Sequence, residues 1–158
     1  MLVLKCFGVL AILLSGALAA YTNARYEKQR LSVLDAWISL LVLLRGEIDC
    51  YLLPIDEILA KADPELIEGC MYAGNAPTPQ RLLAASRIYL STEAHRLLAS
   101  FVREIGKGNR EEQVRRCEYY RTGLLNIRER MAEELSSRLR VGYTLTLVSS
   151  LALAILFW

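Results

Sequence analysis

The residue types that could support catalysis are few in this chain and lie apart. His95 is the only histidine, and the helix predicted around it places Glu93 and Arg96 beside it, without a serine or cysteine in a nucleophile motif. Adjacent carboxylates occur at 111–112 and 133–134, but neighbouring residues on a helix point about 100° apart. We therefore interpret both pairs as solvated faces and predict a protein that is not an enzyme, with an unrecognised catalytic site as the alternative.

Sites for nucleotides, metals and other cofactors are not indicated either. The stretch Gly106-Lys107-Gly108 is too short to cradle a phosphate and lacks the strand–loop–helix setting of a nucleotide-binding loop. The cysteines stand at 6, 50, 70 and 117, without a C-x-x-C pair. We expect reduced, mostly buried thiols, as in a cytoplasmic domain, with a disulfide between two of them as the alternative. The sequence predicts no metal and no cofactor.

Apolar residues are concentrated at the two ends of the chain. Residues 1–20 and 141–158 each approach the ~20 residues that a helix needs to cross a bilayer. All 17 acidic residues and 18 of the 19 basic residues lie between them. We predict transmembrane helices over 1–21 and 141–158, in contact with the lipid bilayer, and one domain over 22–140. That domain is almost neutral, which argues against a nucleic-acid partner.

The charges next to the two apolar segments give the topology. Arg25, Lys28 and Arg30 follow the first segment, and Arg138 and Arg140 precede the second. Because positive charge near a membrane span favours the cytoplasmic side, we predict a cytoplasmic central domain with both termini outside.

In the alternative topology, the first apolar segment is a signal peptide that is cleaved off. Lys5 supplies a basic start, and Ala17-Leu18-Ala19 has the small-x-small form of a cleavage site. In that case the chain is a secreted or periplasmic helical protein with a C-terminal membrane anchor.

Hydrophobic periodicity predicts two long helices. Apolar residues recur at spacings of three and four from Arg25 to about Tyr51 and again from Arg110 to Arg140. The predicted buried positions are Leu31, Leu34, Trp37, Ile38, Leu40, Leu41, Leu44 and Ile48 in the first helix and Cys117, Tyr120, Leu124, Ile127 and Met131 in the second. We expect both helices to continue into the terminal apolar segments.

Shorter helices are predicted between these two. The predicted stretches are 55–61, a helix opened by Asp63-Pro64 and ended by Gly69 or Gly74, 80–90, and a helix capped by Ser91 or Thr92 that runs to Ile105. Residues 73–79 form the predicted loop, and Asn109 is a candidate cap for the last helix. No stretch alternates as a half-buried strand does. The predicted fold class is all-α: a helical bundle of about six helices flanked by one transmembrane helix at each terminus.

Glu47 is the charged residue that the helix pattern explains least. It lies between Gly46 and Ile48, near the end of the buried stripe of the first helix. Two interpretations are open: an ion pair with Arg45 or with an arginine of the long C-terminal helix, and a contact point for a partner protein.

Two runs of sequence resemble a known family. The first is Leu44-Arg45-Gly46-Glu47-Ile48-Asp49-Cys50-Tyr51-Leu52-Leu53-Pro54-Ile55-Asp56-Glu57-Ile58-Leu59, and the second is Gly106-Lys107-Gly108-Asn109-Arg110-Glu111-Glu112-Gln113. Together with the membrane segment at each end and the helical domain between them, they resemble the stage III sporulation protein AB family of endospore-forming bacteria. Asn109 stands where an aspartate is common in that family.

The resemblance implies a function without catalysis. Family members are platform subunits of the channel between mother cell and forespore, in the outer forespore membrane, with the domain on the mother-cell side. That domain is similar to the helical domain of type II secretion and type IV pilus platform proteins. The implied partners are a secretion-type ATPase, stage III sporulation protein AA, whose motion the subunit would pass on, and other membrane proteins of the channel. The alternative within this class is a pilus or secretion platform outside sporulation.

The candidate partner-contact residues belong to the two runs that carry the resemblance. They are Glu47, Tyr51, Pro54, Glu57, Arg110 and Gln113.

Overall fold

The computed structural model describes the backbone of residues 2–51 and 53–156. Side chains are described for 21–50 and 53–137 and at positions 18, 141, 148 and 149. Over the described residues the chain forms six helices and no strand, which confirms the all-helical prediction. The helices are α1 (Leu2–Tyr51), α2 (Ile55–Lys61), α3 (Pro64–Gly69), α4 (Pro79–Ser86), α5 (Thr92–Glu104) and α6 (Arg110–Leu156).

The first helix supplies one wall of the core. Of its predicted stripe, six residues are buried and Leu31 and Ile38 are half-buried. Trp37 is fully buried, and its indole Nε1–H donates a hydrogen bond to Ser86 Oγ of α4 over 3.0 Å. The helix ends at Tyr51, three residues before Pro54, in agreement with the prediction. The predicted continuation into the N-terminal segment agrees with the bounds of α1.

The two short helices after α1 begin and end at residues that the sequence signals. Helix α2 has the predicted bounds and follows Pro54 directly. In α3, the Asp63 carboxylate accepts a hydrogen bond from the Glu65 N–H over 3.0 Å, and Pro64 occupies the first turn. Gly69 is the last residue of α3, so the first of the two predicted stops is the one used.

Helix α4 is shorter than predicted. The periodicity predicts a helix over 80–90, but α4 ends at Ser86. The Ser86 hydroxyl donates back to the Leu82 carbonyl over 2.9 Å, and its oxygen accepts the bond from Trp37. A tight turn follows, because Tyr89 N–H and Leu90 N–H both donate to the Ser86 carbonyl. Ser91 then caps α5, where its Oγ accepts from the Ala94 N–H over 3.1 Å.

The last helix completes the core. Of its five predicted core positions, Cys117, Tyr120, Leu124 and Ile127 are buried, and Met131 is half-buried against the same cluster. The α6 arginines reach carboxylates of α1: Arg128 Nε lies 2.8 Å from Asp35 Oδ1. The helix bounds also agree with the predicted continuation into the C-terminal segment.

The order of the helices follows from these contacts. Helices α1 and α6 are antiparallel neighbours. A β-carbon at Gly69 would lie 3.0 Å from the β-carbon of Ala36, which puts α3 against α1. The rings of Phe101 and Tyr120 meet edge to face at 5.5 Å, which puts α5 against α6. Helix α4 packs against α1 through Trp37 and Ser86 and also contacts α5.

The backbone divides into two compact units. One is Gln29–Met131, which holds the core described above, and the other comprises Met1–Lys28 with Ala132–Trp158. Within the described part of the chain, we find no helix whose length and hydropathy suffice to cross a membrane. The predicted anchors, 1–21 and 141–158, consist mostly of residues whose side chains lie outside the described set, and they stay predictions.

Candidate partner interface

The two runs of sequence that carry the family resemblance meet at one end of the unit Gln29–Met131. Arg110 Nη2 lies 2.7 Å from Asp49 Oδ1, although 61 positions separate the two residues. Two turns further along α6, Arg45 Nη1 lies 3.6 Å from Glu118 Oε2. Both pairs are about half exposed, so each contributes only about 0–1 kcal/mol to stability. They show that the end of α1 lies beside the start of α6, an arrangement that the buried core residues of both helices stabilise.

The turn before α6 is built from glycines and a capping asparagine. Gly106 and Gly108 adopt φ values of 83° and 87°, the left-handed region that glycine reaches without strain. Asn109 Oδ1 then accepts a hydrogen bond from the Glu112 N–H over 2.8 Å, which confirms Asn109 as the cap. Arg116 Nη1 donates to the carbonyl of Glu104 over 3.0 Å and therefore ties the end of α5 to α6.

Glu47 is half-buried on α1 at this end of the unit. Among the described residues its carboxylate forms no ion pair, because Arg45 pairs with Glu118 instead. The adjacent Gly46 has open space where a β-carbon would stand. An ion pair of Glu47 is therefore not found among the described residues, and its contact with a partner protein stays a prediction.

Pro54 and Glu57 lie on the outer surface at the start of α2. The carbonyl of Pro54 accepts hydrogen bonds from the Glu57 N–H at 3.0 Å and the Ile58 N–H at 3.1 Å, which begins the helix. Ile58 points into the core, while Pro54 and Glu57 are exposed. Glu57 is 3.9 Å from Lys61, one turn further on. The side chain of the remaining candidate in this run, Tyr51, lies outside the described residues.

Gln113 bonds to the turn that precedes its own helix, α6. The side chain is half-buried, and its Nε2 donates to the carbonyl of Gly108 over 3.5 Å, a long and weak hydrogen bond. Arg110, in contrast, is half exposed beside Asp49. Of the two candidates on α6, Arg110 is therefore the more accessible to a partner, and Gln113 supports the turn.

Two exposed residues that the sequence pattern missed stand on the outer face of α6. Arg115 lines two adjoining surface grooves, one beside Asp49 and Arg110 and the other beside Tyr119. Tyr119 is 69 % exposed, and its ring meets that of Tyr120 edge to face at 5.2 Å. Arginine and tyrosine are the residue types most often found at the energetic centre of protein interfaces. The four-residue spacing of Arg115 and Tyr119, opposite the core stripe, is the signal that could have revealed them.

Three buried side chains of the unit Gln29–Met131 keep their protons at neutral pH. The Tyr120 hydroxyl donates to Glu104 Oε2 over 3.0 Å, and burial together with that bond raises the pKa of Tyr120 to about 12. Burial likewise raises the pKa of the Cys117 thiol to about 11 and that of Cys70 to about 12. Both thiols are protonated at neutral pH and are poor nucleophiles.

The other residues considered for chemistry lie apart from one another. His95 is half-buried on α5. In the described part of the chain, no group of three or more histidine, cysteine or acidic side chains is arranged to hold a metal ion. The free thiols of Cys70 and Cys117 are buried as expected, but that of Cys50 is exposed. The side chain of Cys6 is outside the described residues.

Comparison of the chain with models of known protein families, with curated proteins and with solved structures finds no match.

Proposed function

We propose that this chain is a non-enzymatic platform subunit of the sporulation channel between mother cell and forespore. In this proposal both ends are anchored in the outer forespore membrane, and the central helical unit docks a secretion-type ATPase, stage III sporulation protein AA, on the mother-cell side. The observation that carries the proposal is the 2.7 Å contact between Arg110 and Asp49, which joins the two runs that resemble the family. Residues of both runs are exposed there.

The docking surface in this proposal lies at the C-terminal end of α1 and the N-terminal end of α6. Glu47, Pro54 and Glu57 flank it on the side of α1 and α2, and Arg110 and Arg115 line it on α6. The mixture of exposed charges with a neighbouring aromatic side chain suits a polar-rimmed protein interface.

Motion is passed on through the backbone of the two long helices. Helix α1 continues from the docking end to Leu2, and α6 continues to Leu156. A displacement that the ATPase imposes on the docking end would act on the membrane segments and, through them, on the other channel proteins. The buried free thiols Cys70 and Cys117 suit the reducing compartment that this topology requires.

Copurification with the ATPase tests the docking. The tagged full chain, solubilised in detergent, is expected to retain stage III sporulation protein AA. The double substitution Glu47→Lys/Glu57→Lys, which reverses two charges at the docking end, is expected to abolish retention. Glu129→Lys, an exposed reversal on α6 away from that end, is the matched control. Failure of the unmodified chain to retain the ATPase would count against the proposal.

Reporter fusions test the topology. Fusions at both termini are expected to report the outside, and an insertion in the loop before Pro79 is expected to report the cytoplasm. A mature chain that begins at Ala20 or Tyr21 would instead support the secreted or periplasmic alternative. Deletion of the gene that leaves sporulation intact, in a host that sporulates, would favour a platform outside sporulation.

A further inference from the structure

The unit Gln29–Met131 carries charges of opposite sign on different helices. Residues 56–68, in α2 and α3, contain five acidic residues and one basic residue, a net charge of −4. Residues 79–107, in α4, α5 and the turn that follows, contain five basic and two acidic residues, a net charge of +3 with His95 neutral. The near neutrality of the whole domain therefore hides two oppositely charged regions.

Local pairing does not neutralise these charges. We call Asp56, Glu65 and Glu68 the acidic side; all three are exposed, and no lysine or arginine of the described residues lies within ion-pair distance of them. The one basic residue nearby in sequence, Lys61, is 3.9 Å from Glu57.

In the described part of the chain, the basic charges are likewise exposed and not neutralised by ion pairs. We define the basic side as Arg96, Arg103 and Lys107, which are all exposed. The acidic residues of α5 are engaged elsewhere: Glu93 lies 2.8 Å from Arg130, and Glu104 accepts the Tyr120 hydroxyl. Within the described residues no carboxylate pairs with the basic side, where Arg103 makes only a 3.5 Å hydrogen bond to Ser100.

The two sides lie on different helices of the unit. The acidic side lies on α2 and α3, of which α3 packs against α1 at Ala36. The basic side lies on α5 and the turn after it, and α5 packs against α6 through Phe101. Among the described residues no ion pair joins the acidic side to the basic side, so the two do not neutralise one another within one copy. A surface of one sign is attracted to a surface of the other sign on a second molecule.

We propose that the acidic side of one copy of this chain binds the basic side of a second copy, so that copies associate head to tail. The contact is heterologous, since each copy uses two different surfaces, and repetition of such a contact closes a ring or extends a row. The inference does not depend on the proposed function, because it uses only charges and packing within Gln29–Met131.

Charge reversal in the full chain tests this assembly by sedimentation velocity in a neutral detergent. One variant, Asp56→Lys/Glu65→Lys/Glu68→Lys, makes both sides basic. The other, Arg96→Glu/Arg103→Glu/Lys107→Glu, makes both sides acidic. Each variant alone is expected to associate at least roughly tenfold more weakly than the unmodified chain. An equimolar mixture of the two is expected to associate again, and so is the chain that carries all six substitutions.

Two controls separate this contact from other causes of association. Glu111→Lys/Glu129→Lys changes the net charge at exposed positions outside both sides and is expected to leave association unchanged. Raising the salt from about 50 mM to about 500 mM NaCl is expected to weaken association of the unmodified chain, because salt screens exposed charges. Circular dichroism identifies any variant that fails to fold.

Three results would overturn the proposal. The first is a monomeric unmodified chain at low salt. The second is association that persists in both single-side variants. The third is a mixture of the two variants that stays dissociated while both are folded. Binding of anionic lipid vesicles by the basic side, without self-association, would assign that side to a membrane surface and would equally refute the contact between copies.

Discussion

The indole Nε1–H of Trp37 and the hydroxyl oxygen of Ser86 form a buried hydrogen bond of 3.0 Å between α1 and α4. Both side chains are inaccessible to solvent, and Ser86 also donates to the carbonyl of Leu82. The serine therefore satisfies the one polar group of the largest core residue.

Removal of the Ser86 hydroxyl is expected to destabilise the fold. Ser86→Ala leaves the Trp37 N–H buried without an acceptor, which costs about 1–3 kcal/mol. The free energy of unfolding, from denaturant titration followed by circular dichroism, checks this value. Thr122→Ala is the control, because Thr122 is exposed and its hydroxyl bonds only to the Glu118 carbonyl. Equal stability of Ser86→Ala and Thr122→Ala would contradict the prediction.

Substitution of alanine for each of two glycines is expected to change the stability of the fold in opposite directions. Gly106 has a φ of 83° and open space where a β-carbon would stand, so Gly106→Ala should cost about 1–2 kcal/mol from backbone conformation alone. Gly46 also has open space but lies inside α1, so Gly46→Ala should stabilise the protein by up to about 1 kcal/mol. Thermal unfolding of the two variants measures both effects. A Gly106→Ala variant as stable as the unmodified chain would contradict the assigned backbone conformation.

Alkaline pH is expected to unfold the bundle through its buried thiols and phenol. Burial raises the pKa of Cys117 from 9.0 to about 11, that of Cys70 from 9.0 to about 12, and that of Tyr120 from 10.0 to about 12. Because the folded state favours the protonated forms, this stabilisation is complete below about pH 9 and is lost as the pH rises towards 11 and 12.

Substitution of the two cysteines separates the contribution of the thiols to alkaline unfolding from that of Tyr120. The free energy of unfolding, measured at intervals between pH 8 and the alkaline limit, is expected to fall from about pH 9 in the unmodified chain. In Cys70→Ala/Cys117→Ala the fall is expected to begin only above pH 10, where Tyr120 starts to ionise in the unfolded state. A double variant with an unchanged pH profile would show that the thiols do not contribute.

Arg115 and Tyr119 are expected to contribute most to partner binding at the docking end. Single substitutions Arg115→Ala and Tyr119→Ala should each weaken binding of the ATPase by roughly tenfold or more, as arginine and tyrosine at interface centres commonly do. Calorimetric titration of the solubilised chain with the ATPase measures the loss. Thr122→Ala, at an exposed position one turn beyond Tyr119, should leave the affinity unchanged. Unchanged affinity in both alanine variants would exclude this part of α6 from the interface.

Structural features that depend on a few neighbouring residues were predicted correctly from the sequence. The bounds of α2, the start of α3 at Asp63-Pro64 and the Asn109 cap follow the prediction because each depends only on neighbours in the chain. The core stripe of α1 was readable for the same reason, since helical periodicity selects one face.

Structural features that depend on residues far apart in the sequence were not predicted. The predicted end of α4 was wrong, and the bond that Ser86 forms with Trp37, 49 positions away, has no signal in the local sequence. The spacing of Arg115 and Tyr119 places them opposite the core stripe, but which grooves adjoin them is decided only when α1 and α5 pack on α6.

The sequence by itself determined that the described chain is helical, where most helices begin and end, and which faces of the long helices are apolar, because these follow from local geometry and burial. Only the tertiary structure decided that Asp49 meets Arg110, that α3 packs on α1 and that α5 packs on α6. The physical reason is that packing of the core fixes the order and register of the helices, and the surface charges are carried to their positions by that packing.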